Sequence, residues 1–203
     1  MLKTTARLNT ILELLIRDFV SLHTLSEIAR YLSCNRMGAW RMIQELVKQK
    51  YVIKRRLNSG RTAMHYFALN LDNEVADKHI ALLLVEQASH YERWADVFEE
   101  LKEYTSFLVL YGSIITAPKQ ANDIDILCIV KDKKYFKNSD KCIIKIQNSE
   151  AKKVHAIIFT EEEFKQELIR QNRAFISAVK EGIILYGHEH FIDFMKNLHK
   201  VRI

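Results

Sequence analysis

The spacing of apolar residues in the first third of the chain changes from helix-like to strand-like. Apolar positions recur at three- and four-residue steps over residues 5–19, which predicts a helix. Thr24-Leu-Ser-Glu27 is a capping-box pattern that predicts the start of a second helix, and a third is expected over residues 36–49. Residues 51–57 and 62–69 then predict two strands, joined by the turn sequence Asn-Ser-Gly-Arg. The predicted order is helix, helix, helix, β-hairpin.

The middle of the chain is a long helical pattern followed by two strands. Residues 72–104 keep helical spacing, with one break near Ser89 and an apolar face that begins at Val75. We interpret this segment as a connector together with the first helix of a second domain. An apolar strand is predicted at residues 107–110, and a strand of alternating character ends at Val130.

The last third alternates further helices and strands. Residues 131–140 predict a polar helix or loop, and strands are expected around residues 142–146 and at 154–159. A helix is expected from residue 160 to about residue 180, capped by a threonine and opened by three glutamates, and a short strand over residues 183–186. Helices and strands therefore alternate through this part of the chain.

Two carboxylates stand out on the predicted central strands. Asp123 and Asp125 are two residues apart, so in an extended strand they project from the same face. Like charges held so close repel each other unless a cation lies between them, and Mg²⁺ prefers oxygen ligands of this kind. Gly112 and Ser113, in the turn that precedes them, offer an unhindered backbone and a hydroxyl, which suit phosphate oxygens.

A strand that ends in Gly-Ser, about ten residues of turn, and then Asp-x-Asp on the next strand resembles the nucleotidyltransferases of the DNA polymerase beta superfamily. The resemblance implies an α+β fold with a small mixed sheet flanked by helices. It also implies that Asp123 and Asp125 hold Mg²⁺, that Gly112 and Ser113 cradle the phosphates of a nucleoside triphosphate, and that an acceptor hydroxyl attacks the α-phosphorus. Members of the superfamily modify antibiotics, RNA ends or the tyrosine of a toxin partner. Nothing in the sequence selects among these acceptors.

The resemblance fails at the third carboxylate, which the superfamily usually carries on a later strand. The corresponding strand here has no Asp or Glu, and His155 stands near the expected position. Three interpretations stay open: His155 is a ligand or a base, the domain binds Mg²⁺ and nucleotide with little or no transfer, or a carboxylate such as Glu150 completes the site. The short segment after Ser113 also lacks the usual basic residue, and Lys119 is too far along the chain to replace it.

Positive charge is concentrated in the first seventy residues. They contain twelve Lys and Arg residues against four Asp and Glu residues, a net charge of +8, whereas the whole chain carries +6. The remainder is therefore slightly acidic. Such asymmetry indicates a module that binds a polyanion, joined to a domain of another kind.

The basic segment resembles the winged helix-turn-helix domains that bind double-stranded DNA. The resemblance covers nearly all of residues 1–70 and implies that the third helix enters the major groove while the hairpin lies against the phosphate backbone. For Trp40, burial in the core is as acceptable as contact with DNA. The candidate DNA-binding residues are Asn35, Arg36, Trp40, Arg41, Gln44, Lys48, Lys54, Arg55, Arg56 and Arg61.

Composition sets the class of protein. A hydrophobic content of 48% with 28% charged residues is typical of a soluble globular chain, and no apolar run has the length of a membrane span. The three cysteines are widely separated and lack metal-ligand spacing, so we expect reduced thiols and a cytoplasmic protein without a membrane partner. The apolar face of the connecting helix could also bury itself against a second copy, which makes a homodimer a further expectation.

The sequence thus predicts a DNA-binding domain over residues 1–70, a connecting helix over 71–104 and a nucleotidyltransferase-like domain over 105–203. The expected function is transfer of a nucleotidyl group from a magnesium-bound nucleoside triphosphate to an unknown acceptor. The alternative is a regulator or antitoxin-like protein without catalysis, whose second domain binds nucleotide or a toxin-like protein partner.

Overall fold

The computed structural model describes residues 2–18, 21–57 and 64–201. The chain divides into two compact units, Met1–Leu83 and Leu84–Ile203, and the division lies within the segment predicted as a connector. Each unit combines helices with a small sheet. The α+β class expected from the sequence is therefore confirmed at this coarse level.

The described part of the first unit begins with helices and two paired strands near the predicted positions. Residues 58–63, where the turn was predicted and which include the candidate residue Arg61, lie outside the described residues. The two strands pair antiparallel, with Val52 opposite Leu69 at the base of the hairpin. The elements are α1 (Leu2–Arg17), α2 (Leu25–Tyr31), α3 (Arg36–Lys48), β1 (Val52–Leu57) and β2 (Met64–Leu69).

Local capping explains where the second and third helices start. The Thr24 backbone N–H donates to Oε2 of Glu27 at 2.7 Å, and Oγ1 of Thr24 accepts from the Glu27 backbone N–H at 3.3 Å, so the capping box is formed. Asn35 caps α3 by accepting the Gly38 backbone N–H at 2.7 Å. Behind these caps a common core is buried, including Ile28 and Ile43.

The second unit is built on a four-stranded mixed sheet. Its strands are β3 (Thr105–Tyr111), β4 (Asp123–Val130), β5 (Lys153–Thr160) and β6 (Ile183–Tyr186). Their order in the sheet is β5-β4-β3-β6, in which β4 and β5 are parallel and the other neighbours are antiparallel.

The other elements after β2 are helical. Short 3₁₀ turns occupy Glu99–Glu103 and Lys133–Tyr135. The helices are α4 (Glu74–Ser89), α5 (Glu92–Val97), α6 (Ser113–Thr116), α7 (Phe136–Ser149), α8 (Glu161–Ile169), α9 (Arg173–Glu181) and α10 (His188–Val201). The division between the two units falls within α4.

Three expectations about these elements were wrong. Residues 142–146 form part of α7 and not a strand, because the buried positions Ser139, Cys142 and Ile146 follow helical spacing. The single helix expected over residues 160–180 is two helices, separated at Gln171, whose φ of 58° is left-handed. Val75 is 67% exposed, since α4 buries other positions instead.

The sheet positions the acidic pair because its two faces bury different sets of side chains. One face packs Leu108, Ile126 and Cys128 in the same apolar cluster as Trp94 and Phe98. Side chains alternate along a strand, so Asp123 and Asp125 belong to the opposite face, where Phe107 contacts the rings of buried phenylalanines from α8 and α10. These helices cover the aromatic part of that face, and the carboxylates lie at its partly exposed end, where β4 begins.

Candidate metal centre

Asp123, Asp125 and His155 converge at one end of the sheet. The parallel register of β4 and β5 places His155 beside Asp125, which makes the three side chains neighbours on one face. Nδ1 of His155 lies 3.4 Å from Oδ2 of Asp123 and 3.5 Å from Oδ1 of Asp125. One ligand atom from each residue lies within 4.8 Å of the other two. Such a donor set could hold a metal ion.

Gly112 lies so close to the carboxylate of Asp125 that no side chain would fit at its position. Its φ of 81° and ψ of −158° define a conformation that essentially only glycine adopts. A Cβ atom added there would collide with the carboxylate of Asp125. The glycine therefore leaves space for the Asp125 carboxylate, in addition to any role toward phosphate.

The surroundings of Asp125 alter its protonation. Burial, and then the negative charge of Asp123, raise the pKa of Asp125 above its ordinary value, while the neighbouring His155 acts in the opposite direction. Burial, and then the charge of Asp125, also raise the pKa of Tyr111, which pairs with Asp125 across β3 and β4. The site thus gathers negative charge that an added cation would offset.

The residues present fit a divalent cation, with one qualification about the third donor. Two carboxylates supply the oxygen ligands that Mg²⁺ prefers, but the third donor is an imidazole nitrogen. Glu150 is not a member of this cluster; it forms an ion pair of 3.2 Å with Arg93. Of the interpretations left open by the sequence, a third carboxylate from Glu150 is thus not supported by the geometry.

The Gly-Ser turn leads into the short helix α6, which begins at the exposed Ser113. Ile114 is buried in the core and Ile115 packs against it, which explains why apolar residues occupy this segment. As expected from the sequence, α6 contributes no basic side chain, and Lys119 is exposed beyond it. Any contact with phosphate at this turn would come from backbone N–H groups and the Ser113 hydroxyl.

Sequence reasoning missed a cleft of about 170 Å³ beside Gly112. Its polar wall is formed from α9, where Ser177 Oγ donates a hydrogen bond of 3.1 Å to Oε2 of Glu181. Thr116 and Tyr111 also line the cleft. A Ser and a Glu four residues apart are common on a solvated helix, so the pattern alone gave no reason to select them.

Most of the described candidate DNA-binding residues are exposed on the first unit. Asn35 caps α3, Gln44 is half-buried, and the remaining described members of the set are exposed along α3 and β1. The opposite side of α3 is buried through Ala39, Met42, Ile43 and Leu46. The helix therefore separates a core face from a predominantly basic outer face.

Trp40 belongs to that outer face and not to the core. It is 36% exposed, and the Nζ atom of Lys54 lies 6.0 Å from the centroid of its ring. Met37, on the same side of α3, is 61% exposed. Two large apolar side chains are thus exposed among the cations of this face.

Comparison with protein-family models, curated proteins and solved structures gives no match. Among the residues that the structure describes, no helix combines the length and apolar character needed to cross a bilayer. The geometry of the metal centre and of the basic face therefore carries the functional assignment.

The first prediction concerns the stability of the acidic pair without metal. Because the pKa of Asp125 is raised on folding, the unfolded chain releases this proton at lower pH than the folded protein. The free energy of unfolding should fall as pH rises from the ordinary aspartate value through the raised one. In EDTA, the Asp125→Asn protein should therefore have a higher melting temperature than wild type at neutral pH. The difference between the two melting temperatures should become smaller below the ordinary pKa of an aspartate, where Asp125 is protonated in both the folded and the unfolded chain. A lower melting temperature for the variant at neutral pH would show instead that the Asp125–His155 contact is a stabilising ion pair.

Proposed function

We propose that the second unit is a metal-dependent nucleotidyltransferase domain, and that the first is a winged helix-turn-helix domain that binds double-stranded DNA. The observation that carries the enzymatic half is the convergence of Asp123, Asp125 and His155 within 4.8 Å, next to a glycine turn. The convergence brings together residues that lie on two parallel strands and are about thirty positions apart in the chain.

The residues of the site have separate roles in this proposal. Asp123 and Asp125 would hold Mg²⁺ or another divalent cation, which when bound neutralises phosphate charge and stabilises the attacking and leaving oxygens. The backbone at Gly112 and the hydroxyl of Ser113 would bind the outer phosphates of a nucleoside triphosphate. An acceptor hydroxyl would then form a bond to the α-phosphorus and lose its proton to solvent, while the bond to the pyrophosphate leaving group breaks.

Orientation favours a ligand role for His155 over a role as general base. Nδ1 faces the carboxylate oxygens, which is the position of a third metal ligand. Acting as a base through that nitrogen would require the acceptor hydroxyl to occupy the same space as the ion. The identity of the acceptor is not assigned.

The DNA-binding half is supported by the outer face of α3 and β1. Arg36, Trp40 and Arg41 are exposed on the helix, and Lys54 and Arg55 are exposed on the adjoining strand. Cationic side chains of this kind contact phosphates, and a helix face that carries polar and aromatic side chains can reach base edges. The exposed basic face therefore supports the proposal that the protein binds DNA through its first unit.

The missing third carboxylate keeps a non-catalytic role as the second candidate. In that case the second unit binds a nucleoside triphosphate and a metal ion, or a toxin-like protein partner, and the DNA-binding unit provides the output. Binding of nucleotide without release of pyrophosphate would select this candidate over transfer.

Transfer is tested with α-labelled nucleoside triphosphate and a divalent cation. Wild type should label an acceptor, itself or water with release of pyrophosphate. The Asp123→Ala, Asp125→Ala double variant should lose at least about a hundredfold in rate, because the bound metal is worth several kcal/mol of transition-state stabilisation.

A matched control for this experiment removes the same charge elsewhere in the second unit. Asp140 and Asp193 are exposed, so their double alanine variant should retain wild-type rates. If wild type releases pyrophosphate no faster than the Asp123→Ala, Asp125→Ala protein, the enzymatic proposal is wrong.

DNA binding is tested by salt-dependent titration of duplex DNA. Affinity should fall steeply with salt, because cationic side chains release counterions from the phosphates. The Arg36→Ala, Arg41→Ala, Arg55→Ala protein should bind weakly and lose about one unit of salt slope for each phosphate contact removed.

The control variant is Lys134→Ala, Lys137→Ala, Lys141→Ala, which removes three positive charges from exposed positions in the second unit. It should bind DNA nearly as wild type does. Equal weakening by the two triple variants would mean that binding reflects net charge and not the face of α3 and β1.

A further inference from the structure

The third possible ligand in the cluster of Asp123, Asp125 and His155 is an imidazole nitrogen, which affects which metal ion the cluster would prefer. Mg²⁺ binds oxygen ligands and keeps much of its water, whereas imidazole suits transition-metal ions. The strand that carries His155 has no carboxylate, and the structure brings no other Asp or Glu among the described residues into the cluster. The donor set is therefore two carboxylates and one imidazole.

We propose that Asp123, Asp125 and His155 bind a divalent transition-metal ion, for which Mn²⁺ and Co²⁺ are suitable probes, in preference to Mg²⁺, with Nδ1 of His155 as a direct ligand. The inference rests on the metal role assigned to this site in the proposed function. Metal binding can nevertheless be measured without any transfer reaction.

The distances between donor atoms are compatible with an ion shared by the three residues. Good N–H···O bonds measure about 2.7–3.2 Å between heavy atoms. Nδ1 of His155 is 3.4 Å and 3.5 Å from the two carboxylate oxygens, which is longer and nearly equal. Ligands at about 2.1 Å from one ion are about 3.0 Å apart at a right angle and about 4.2 Å apart when opposite. Both observed distances lie between these limits.

The backbone holds the imidazole in place for this role. His155 is the partner of Asp125 in the parallel register of β4 and β5, so its Cβ position is fixed relative to the acidic pair. The side chain of His155 is 43% exposed, that of Asp123 is 35% exposed and that of Asp125 is 24% exposed. An ion can therefore enter from solvent, and water or phosphate oxygens can complete its coordination.

Selectivity follows from the nitrogen. For a site of mixed nitrogen and oxygen donors, affinity increases from Mn²⁺ to Co²⁺ along the first transition row, and Mg²⁺ gains little from an imidazole. Replacing His155 with aspartate would restore an all-oxygen set. That change should shift preference toward Mg²⁺.

The ligand itself is tested by pulsed electron paramagnetic resonance on the full-length protein loaded with Mn²⁺. Wild type should show the modulation of a directly coordinated ¹⁴N nucleus, and His155→Ala should lose it. His190→Ala is the matched control, because His190 is exposed on α10 and is not a member of the cluster. Wild-type Mn²⁺ without a coordinated nitrogen, or with one that persists in His155→Ala, would overturn the proposal.

Selectivity is tested by calorimetric titration of the same proteins with Co²⁺ and with Mg²⁺. The ratio of Co²⁺ to Mg²⁺ affinity should fall by at least about tenfold in His155→Asp, a loss typical of changes that perturb metal ligation. His190→Asp should leave the ratio at its wild-type value. His155→Ala, which adds no charge beside the two carboxylates, provides a second measure of the same fall if His155→Asp does not fold.

The two sets of measurements separate this inference from the proposed function. A coordinated nitrogen and a preference for Co²⁺, with no transfer, would support the inference and contradict the enzyme. Nucleotidyl transfer with Mg²⁺, together with Mn²⁺ that binds the wild-type protein without a nitrogen ligand, would support the enzyme and contradict the inference. No metal binding by wild type would contradict both.

Discussion

The proposed metal site of the second unit depends on the close approach of two like charges, those of Asp123 and Asp125. Alternation along β4 places both carboxylates on one face, and burial together with the charge of Asp123 raises the pKa of Asp125. Such an arrangement costs stability in the folded protein. The structure accommodates it with an imidazole from the parallel neighbour strand and with a glycine whose missing Cβ leaves space for the Asp125 carboxylate. A site that is unfavourable without a cation is a site suited to binding one.

Much of the fold was predictable because its signals are local. The capping box at Thr24, the i, i+2 spacing of the aspartates and the apolar strand that becomes β3 each depend on only a few neighbouring residues. The errors arose where local signals compete. Residues 142–146 are apolar enough for a strand, and only the spacing of their buried positions over the longer segment Phe136–Ser149 reveals a helix. The interruption at Gln171 has no glycine or proline to mark it.

The candidate site divides in the same way. The two carboxylates follow from strand geometry alone. His155 was a candidate only through the family resemblance, because its place beside Asp125 depends on the register between β4 and β5, which the sequence does not specify. That register places His155 beside Asp125, and Glu150 instead pairs with Arg93. The same limit applies to Trp40: helical spacing was compatible with core or surface, and the packing of α3 leaves its ring 36% exposed near Lys54.

The central claim is that one ion is shared by Asp123, Asp125 and His155 beside the Gly112 turn. Its most direct test is anomalous diffraction from crystals grown with Mn²⁺ and a non-hydrolysable nucleoside triphosphate. The account predicts an anomalous peak within about 2.5 Å of a donor atom from each of the three residues, with triphosphate oxygens against the Gly112–Ser113 backbone. Manganese bound elsewhere, or an imidazole hydrogen-bonded to the carboxylates with no ion between them, would contradict it.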